Sequence, residues 1–300
     1  MKKENGMAGN HGIRQWGWVV FFLAPSLLGL LVFILGPVVY SLRLTLYDWN
    51  LLSDAKFIGL DNFRELYHDT AFWTAFKHTL IYIVLYIPSV LTLAFLTALL
   101  LNQPLRGRAW FRTAFFVPVV TSWVAVSVIW KWVFNPAYGL VNYFLSWFGI
   151  DGPAWLVNPD TALYAIIITS VWKDLGFIAV MFLGGLQGIP ESYYEAAKID
   201  GADRWQRLRR ITLPLLTPTT FFALIISLIH SFQVFEQAWL MPERFARRGA
   251  SVIVGEIVDN AFRYNRMGYA AAMSWVLFAV IFTITLVQFR LQKRWVHYDL

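Results

Sequence analysis

Glu191–Thr217 reads ESYYEAAKIDGADRWQRLRRITLPLLT, the one long polar segment in the second half of a very apolar chain. It carries five basic and four acidic residues between two hydrophobic runs. Ser192 is placed to cap a short helix through Ala197 and Lys198. Gly201 breaks that helix, and a second starts at Ala202 or Asp203. Pro214 then ends the second helix, and Pro218 falls where the next can open. The stretch therefore predicts a helix–turn–helix outside lipid, tied at both ends to membrane spans.

Composition supports that setting. Of 300 residues, 58% are hydrophobic and only 14% charged, which is not a water-soluble balance. Fifteen Trp, 13 Tyr and 25 Phe exceed what one soluble core uses and suit two membrane interfaces. There is no Cys, which excludes a disulfide framework and Cys-based metal sites. The net charge of +7 sits in short loops between apolar runs, the pattern of membrane topology rather than of nucleic-acid binding.

Six runs are long enough to cross a bilayer: 18–40, 79–101, 114–133, 162–186, 218–240 and 270–289. The first is too long for a signal-peptide core and lacks a small-residue cleavage site, so it reads as a retained anchor. Pro25, Pro37, Pro88 and Pro118 predict kinks within or near spans. The N-terminal tail (Lys2, Lys3, Arg14), the loop after the second span, the Glu191–Thr217 loop and the C-terminus hold fourteen Lys and Arg. The alternate loops hold nine, which places both termini in the cytoplasm. Of the outside loops, the first carries an amphipathic LDNFRELY with Asp61 as its cap. The second has turn signals at Asn135-Pro136, Gly152-Pro153 and Asn158-Pro159. The third has SVIVGEIV as a short interfacial helix. The spans do not fall into two similar halves, which argues against an inverted-repeat carrier.

No metal-ligand cluster, phosphate loop or nucleophile elbow appears, and His11, His68, His78, His230 and His297 are scattered. The chain reads as a non-enzyme that binds no cofactor of its own. Polar groups at membrane depth are the better lead, since each is costly unless it faces a cavity or a partner. Span four has Lys173 and Asp174 near its middle, beside Trp172; there the simpler reading is pairing with neighbouring helices. Span five has His230, Phe232, Gln233, Phe235, Glu236 and Gln237; Gln233, Glu236 and Gln237 at i, i+3 and i+4 share a helix face. Span three adds Trp123 and Trp130. Flat aromatics beside amide and carboxylate groups suit a polyhydroxylated solute, and the competing reading is interhelical glue plus an aromatic belt. The predicted pathway residues are Trp123, Trp130, Trp172, Phe232, Gln233, Phe235 and Glu236. A proton- or ion-coupled carrier is the alternative; Glu236, His230 and Asp174 are its only relay candidates, and nothing orders them into a chain.

Within the opening stretch, Glu195-Ala196-Ala197, Gly201, Ile211 and Leu213-Pro214 match EAA-x3-G-x9-I-x-L-P at every fixed position. This resembles the cytoplasmic EAA loop of importer-type ABC transporter permeases. FFLAPSLLGLLVFILGPVVYSLRLTLYDWN, FIGLDNFREL, LLNQPLRGRAWFRTAFFVP, GLQGIPESYYEAAKIDGADRW and MGYAAAMSWVLF extend the resemblance to the carbohydrate-uptake branch, close to the first permease of maltose or glycerol-3-phosphate systems. The resemblance implies an all-α integral membrane protein with six transmembrane helices, forming one permease domain over 1–300 in a bacterial or archaeal cell membrane. It implies a second, different permease subunit, a dimer of ATP-binding subunits, an extracytoplasmic solute-binding protein and a sugar-class solute. In that reading Glu195 contacts the ATPase, Ala196 and Ala197 allow close approach, Gly201 turns, and Ile211, Leu213 and Pro214 anchor the second helix. One departure stands out: the family's Gly-Gly-Pro turn after span five is LMPERFARRGAS here, which opens the conformation of that outer loop.

Overall fold

The computed structural model describes residues 8–104 and 106–296; Lys2, Lys3 and His297, and the side chains of His11 and Arg14, lie outside what it describes. Helices dominate. In chain order they are α1 (Ala8–Gly29), a π-helical turn Leu30–Leu35, α2 (Gly36–Leu44), α3 (Asp61–His68), α4 (Thr70–Leu101), α5 (Arg108–Val120), α6 (Trp123–Val133), α7 (Leu140–Ser146) and α8 (Pro159–Gly188). Then come α9 (Glu191–Ile199), α10 (Arg204–Arg207), a π-turn Leu208–Thr212, α11 (Leu213–Leu215), α12 (Thr217–Phe232), α13 (Glu236–Leu240), α14 (Ile253–Val258) and α15 (Met267–Gln292). Two short strands, Tyr47–Asp48 and Lys56–Phe57, pair antiparallel with Tyr47 opposite Phe57.

Five helical segments are long and apolar enough to span a membrane: Trp18–Leu44, Thr70–Leu101, Pro159–Gly188, Thr217–Leu240 and Met267–Gln292. The third run, 114–133, is not one straight helix; it breaks just beyond Pro118, where a kink was expected, and makes a sixth span if the bent pair counts as one. Between α5 and α6 the axis turns by 102°. Thr121 is extended, and Ser122 opens α6 by accepting from the Ala125 N–H at 3.3 Å, so a new N-cap forms inside the apolar run. Span five keeps its length as one segment, Thr217–Leu240, but its helix is interrupted: α12 stops at Phe232 and α13 starts at Glu236. Pro25 and Pro88 lie inside the α1 and α4 helices, whereas the π-turn before α2 takes up the N–H missing at Pro37.

The chain divides into two compact units, 1–68 with 260–275, and 69–259 with 276–300. In the first, no side chain of Trp18–Leu44 is buried, so this span offers its whole apolar girth to its surroundings. Asn62 donates to the Thr45 carbonyl at 2.8 Å and the Tyr47 carbonyl at 3.1 Å, fastening α3 under the strands. Asp61 is the first residue of α3, not its cap: the N–H groups of Phe63 and Arg64 return to the Leu60 carbonyl. Arg266 pairs with Glu65 at 2.5 Å.

The second unit is built on α4 against α8. Both helices bury small residues (Ala75, Ala94 and Ala98; Ala162 and Ala165) of the kind that let backbones approach, and Val90, Ile166, Ile178 and Phe182 are buried with them. α5 reaches α8 at backbone level, because a Cβ at Gly176 would overlap the Phe115 carbonyl. The LMPERFARRGAS segment is held by residues near the start of α8: Glu243 N–H bonds the Leu156 carbonyl at 2.9 Å, and Gly249 sits on the Pro159 carbonyl where no Cβ would fit. SVIVGEIV gives α14, moored to α4 by the Ile253 N–H on Thr79 Oγ1 at 3.2 Å.

Candidate functional site

A cavity lies where span five is interrupted. Gln233 closes α12 through its N–H on the His230 carbonyl at 3.1 Å, and Phe235 (φ −147°, ψ −64°) re-aims the chain into α13. Helix ends leave main-chain groups without intrahelical partners, a usual feature of solute sites at membrane depth. Gln233, Glu236 and Gln237, expected on one face, do share one space, across the interruption between α12 and α13. They line a cavity of about 390 Å³ with Phe235, Val234, Val254, Trp123, Tyr82, Tyr86, Asp174 and His230. A second space of about 300 Å³ shares Tyr86, Trp123, Asp174 and His230, and adds Lys173, Val119, Phe177, Ile226 and Ser227.

Of the predicted pathway residues, Trp123, Gln233, Phe235 and Glu236 line the cavity. Trp130, Trp172 and Phe232 do not. Trp130 meets Trp172 edge-to-face at 5.4 Å and leans on Phe134 at 5.2 Å, an aromatic cluster apart from the cavity. Phe232 is 1% exposed, in the packing behind the wall. Sequence reasoning missed Tyr82, Tyr86 and Val254. The tyrosines stack at 5.2 Å with their planes 13° apart, one helical turn apart on α4, and their i, i+4 spacing was the available signal.

Lys173 and Asp174 are adjacent, yet they serve different neighbours. Tyr86 donates its hydroxyl to Asp174 Oδ2 at 2.7 Å, holding that carboxylate at the cavity wall. Lys173 is buried, donates to the Val119 carbonyl at 3.2 Å, and lies 4.8 Å over the Trp123 ring. It thus supplies a cation to the C-terminal end of α5 while touching the first residue of α6, across the 102° bend. Pairing with neighbouring helices holds for both residues, but Asp174 also faces the cavity.

At the other end of α8 and α12 lies the polar hairpin. α9 starts directly after Pro190 with no side-chain cap, so Ser192 stands inside its first turn and does not cap it. Gly201 takes φ +79°, and the Ala202 N–H returns to the Ala197 carbonyl at 2.8 Å, closing the helix end. Asp203 opens α10 with a reciprocal capping box: it accepts from the Gln206 N–H at 2.7 Å while its own N–H donates to Gln206 Oε1 at 3.0 Å. The Tyr194 hydroxyl meets Thr212 Oγ1 at 3.0 Å and fastens α9 to the π-turn. Pro214 does not end the helix: the π-turn ahead of it absorbs its missing N–H, and helix continues to Leu215.

Glu195 and Ala196 are exposed and Ala197 is half-buried. Burial at the hairpin base falls on Thr212 and Leu216, with Ile211 and Pro214 half-buried and Leu213 42% exposed. Leu216 packs where Gly185 of α8 leaves room. Beside Glu195 the hairpin shows Ile199 at 86% and Trp205 at 65% exposure, apolar groups that the charge-based reading passed over.

With this geometry in view, known proteins offer direct comparisons. The chain is 38% identical over 283 residues to the probable ABC transporter permease protein YesP of Bacillus subtilis (strain 168), covering 93% of this chain and 91% of that protein. It is 36% identical over 279 residues to the lactose transport system permease protein LacF of Rhizobium radiobacter, covering 91% and 92%. A chain from the crystal structure of a bacterial alginate ABC transporter in complex with alginate pentasaccharide-bound periplasmic protein superposes with a TM-score of 0.83 at 27% identity, over 95% of this chain and 96% of that one. The matching family profile spans residues 72–297, and this multi-pass chain belongs to the family of binding-protein-dependent transport system inner membrane components.

Proposed function

We propose that the chain is one membrane-spanning subunit of an ATP-driven importer that carries a sugar or sugar-like solute. It works as a single permease domain with both termini cytoplasmic. A second, different permease completes the pathway, a dimer of ATP-binding subunits docks on the hairpin, and an extracytoplasmic binding protein delivers the solute. The relative named for lactose supports the solute class. The observation that carries the mechanism is a continuous connection: the hairpin is welded at its base to α8 and α12, and those helices carry Asp174 and His230 into the cavity. A capped, braced hairpin moves as a unit, so ATPase closure against Glu195, Ile199 and Trp205 passes into the cavity wall. Hydrolysis belongs to the partner subunits.

At the cavity, Trp123 and Phe235 offer flat surfaces to the C–H faces of a sugar ring, while Gln233, Gln237, Glu236 and Asp174 meet its hydroxyls. The experiment is Glu195→Lys in the assembled transporter, reading ATP hydrolysis and uptake in the same vesicles. Uptake is expected to fall at least tenfold, with hydrolysis either freed from solute or lost along with the ATPase. A variant that assembles and transports normally removes the coupling role.

A further inference from the structure

The charges lining the cavity carry the solute class further, on the basis of the sugar-import reading above. Two carboxylates, Asp174 and Glu236, line the larger space, and no arginine or lysine joins them there among the described residues. Asp174 also lines the smaller space, where the one cation, Lys173, is committed to the Val119 carbonyl and the face of Trp123. His230, Tyr82 and Tyr86 are the remaining titratable groups on these walls. A uronate, sulfate or phosphate entering would meet two carboxylates and find no free guanidinium or ammonium to take its charge, whereas anion sites are normally built from arginine forks or lysine. A hydroxyl group donates to a carboxylate without that repulsion, and vicinal hydroxyls suit its two oxygens.

We infer that this subunit's half of the pathway admits non-anionic saccharides and rejects saccharides bearing carboxylate, sulfate or phosphate groups. The discriminating residues are Asp174 and Glu236, one on α8 and one at the start of α13. Gln233 and Gln237 supply neutral hydrogen bonds to whatever is admitted.

The absence of native cysteine allows a direct test of the field in the cavity, without knowledge of the solute. Gln233→Cys, and separately Phe235→Cys, is introduced into the full chain in the assembled transporter, with any cysteines of the other subunits blocked. The thiol is modified with a cationic trimethylammonium and an anionic sulfonate methanethiosulfonate, and each rate is normalised to a free thiol in solution. The cation-to-anion ratio is expected to exceed unity by about tenfold for each carboxylate at roughly 6 Å in a watery cavity. Asp174→Asn and Glu236→Gln are each expected to return about a tenfold share. A ratio at or below unity overturns the inference, as does a raised ratio that neither substitution lowers. Failure of ATP-dependent sugar uptake by the unmodified complex would instead count against the import reading and leave the measured ratio standing.

Discussion

Replacing Lys173 by methionine isolates what the buried ammonium does. Methionine keeps the length and apolar stem but removes the donor on the Val119 carbonyl (3.2 Å) and the cation over Trp123 (4.8 Å). A hydrogen bond from a charged donor contributes about 1.5–3 kcal/mol, and a cation–π contact about 0.5–2 kcal/mol. The desolvation of a buried ammonium acts in the opposite sense. Lys173 sits on α8 within the core, however, so that cost is similar whether or not α5 and α6 hold their bend, and it largely cancels between the two states. The bend itself therefore loses about 2 kcal/mol, a factor of roughly 30 between the ordered bend and its alternatives. The assay is a distance distribution between spin labels at Phe111→Cys on α5 and Ile129→Cys on α6, both exposed positions in a cysteine-free chain. One narrow population is expected in the parent, a broad or shifted one with Lys173→Met, and partial recovery with Lys173→Arg. An unchanged distribution in Lys173→Met would refute the idea that this lysine holds the bend.

Two further outcomes follow from the geometry. Glu236→Ala removes a carboxylate from the cavity wall at an exposed position, so uptake should drop several-fold while membrane level and ATPase assembly stay normal; unchanged uptake kinetics take the residue out of the pathway. Burial, with Asp259 and Asp69 as like-charged neighbours, pushes Glu256 on α14 up to about 7, so the folded state holds its proton more tightly than the unfolded chain does. Its contribution to stability is full below the ordinary carboxylate range and is lost as pH rises through 7. Protection factors for hydrogen exchange over 251–258, corrected for the intrinsic pH dependence of exchange, should therefore be higher at pH 5 than at pH 8, and Glu256→Gln should flatten that difference.

Apolar runs and polar punctuation are local signals, and they made the spans and the hairpin legible. Gly201 and Asp203 mark the turn and the second helix start through chemistry contained within three or four residues. The two breaks were harder. Thr121-Ser122 carried a faint signal, a good N-cap residue shortly after Pro118, masked by the hydrophobicity around it. The stretch from Phe232 to Glu236 contains neither Gly nor Pro, so nothing local announces that break. Lys173 shows the same limit: its partner is a carbonyl fifty-four positions earlier that becomes available only because α5 ends there. Tyr82 and Tyr86 were visible as residues, but their role depends on which side of α4 faces α8 and the broken span. Tertiary context decided these points, and hydropathy alone does not carry it.

The close approach of α8 and α5 has a consequence for how the chain tolerates variation. Gly176 meets a main-chain oxygen, not a side chain, at position 115. Every amino acid has that oxygen, so the contact constrains one partner and leaves the other unspecified. Saturation of both sites should give a lopsided footprint: position 176 closed to everything larger than hydrogen, and position 115 open to most side chains. Pairwise covariation would pass over such a contact, because one of its two positions has nothing to vary with.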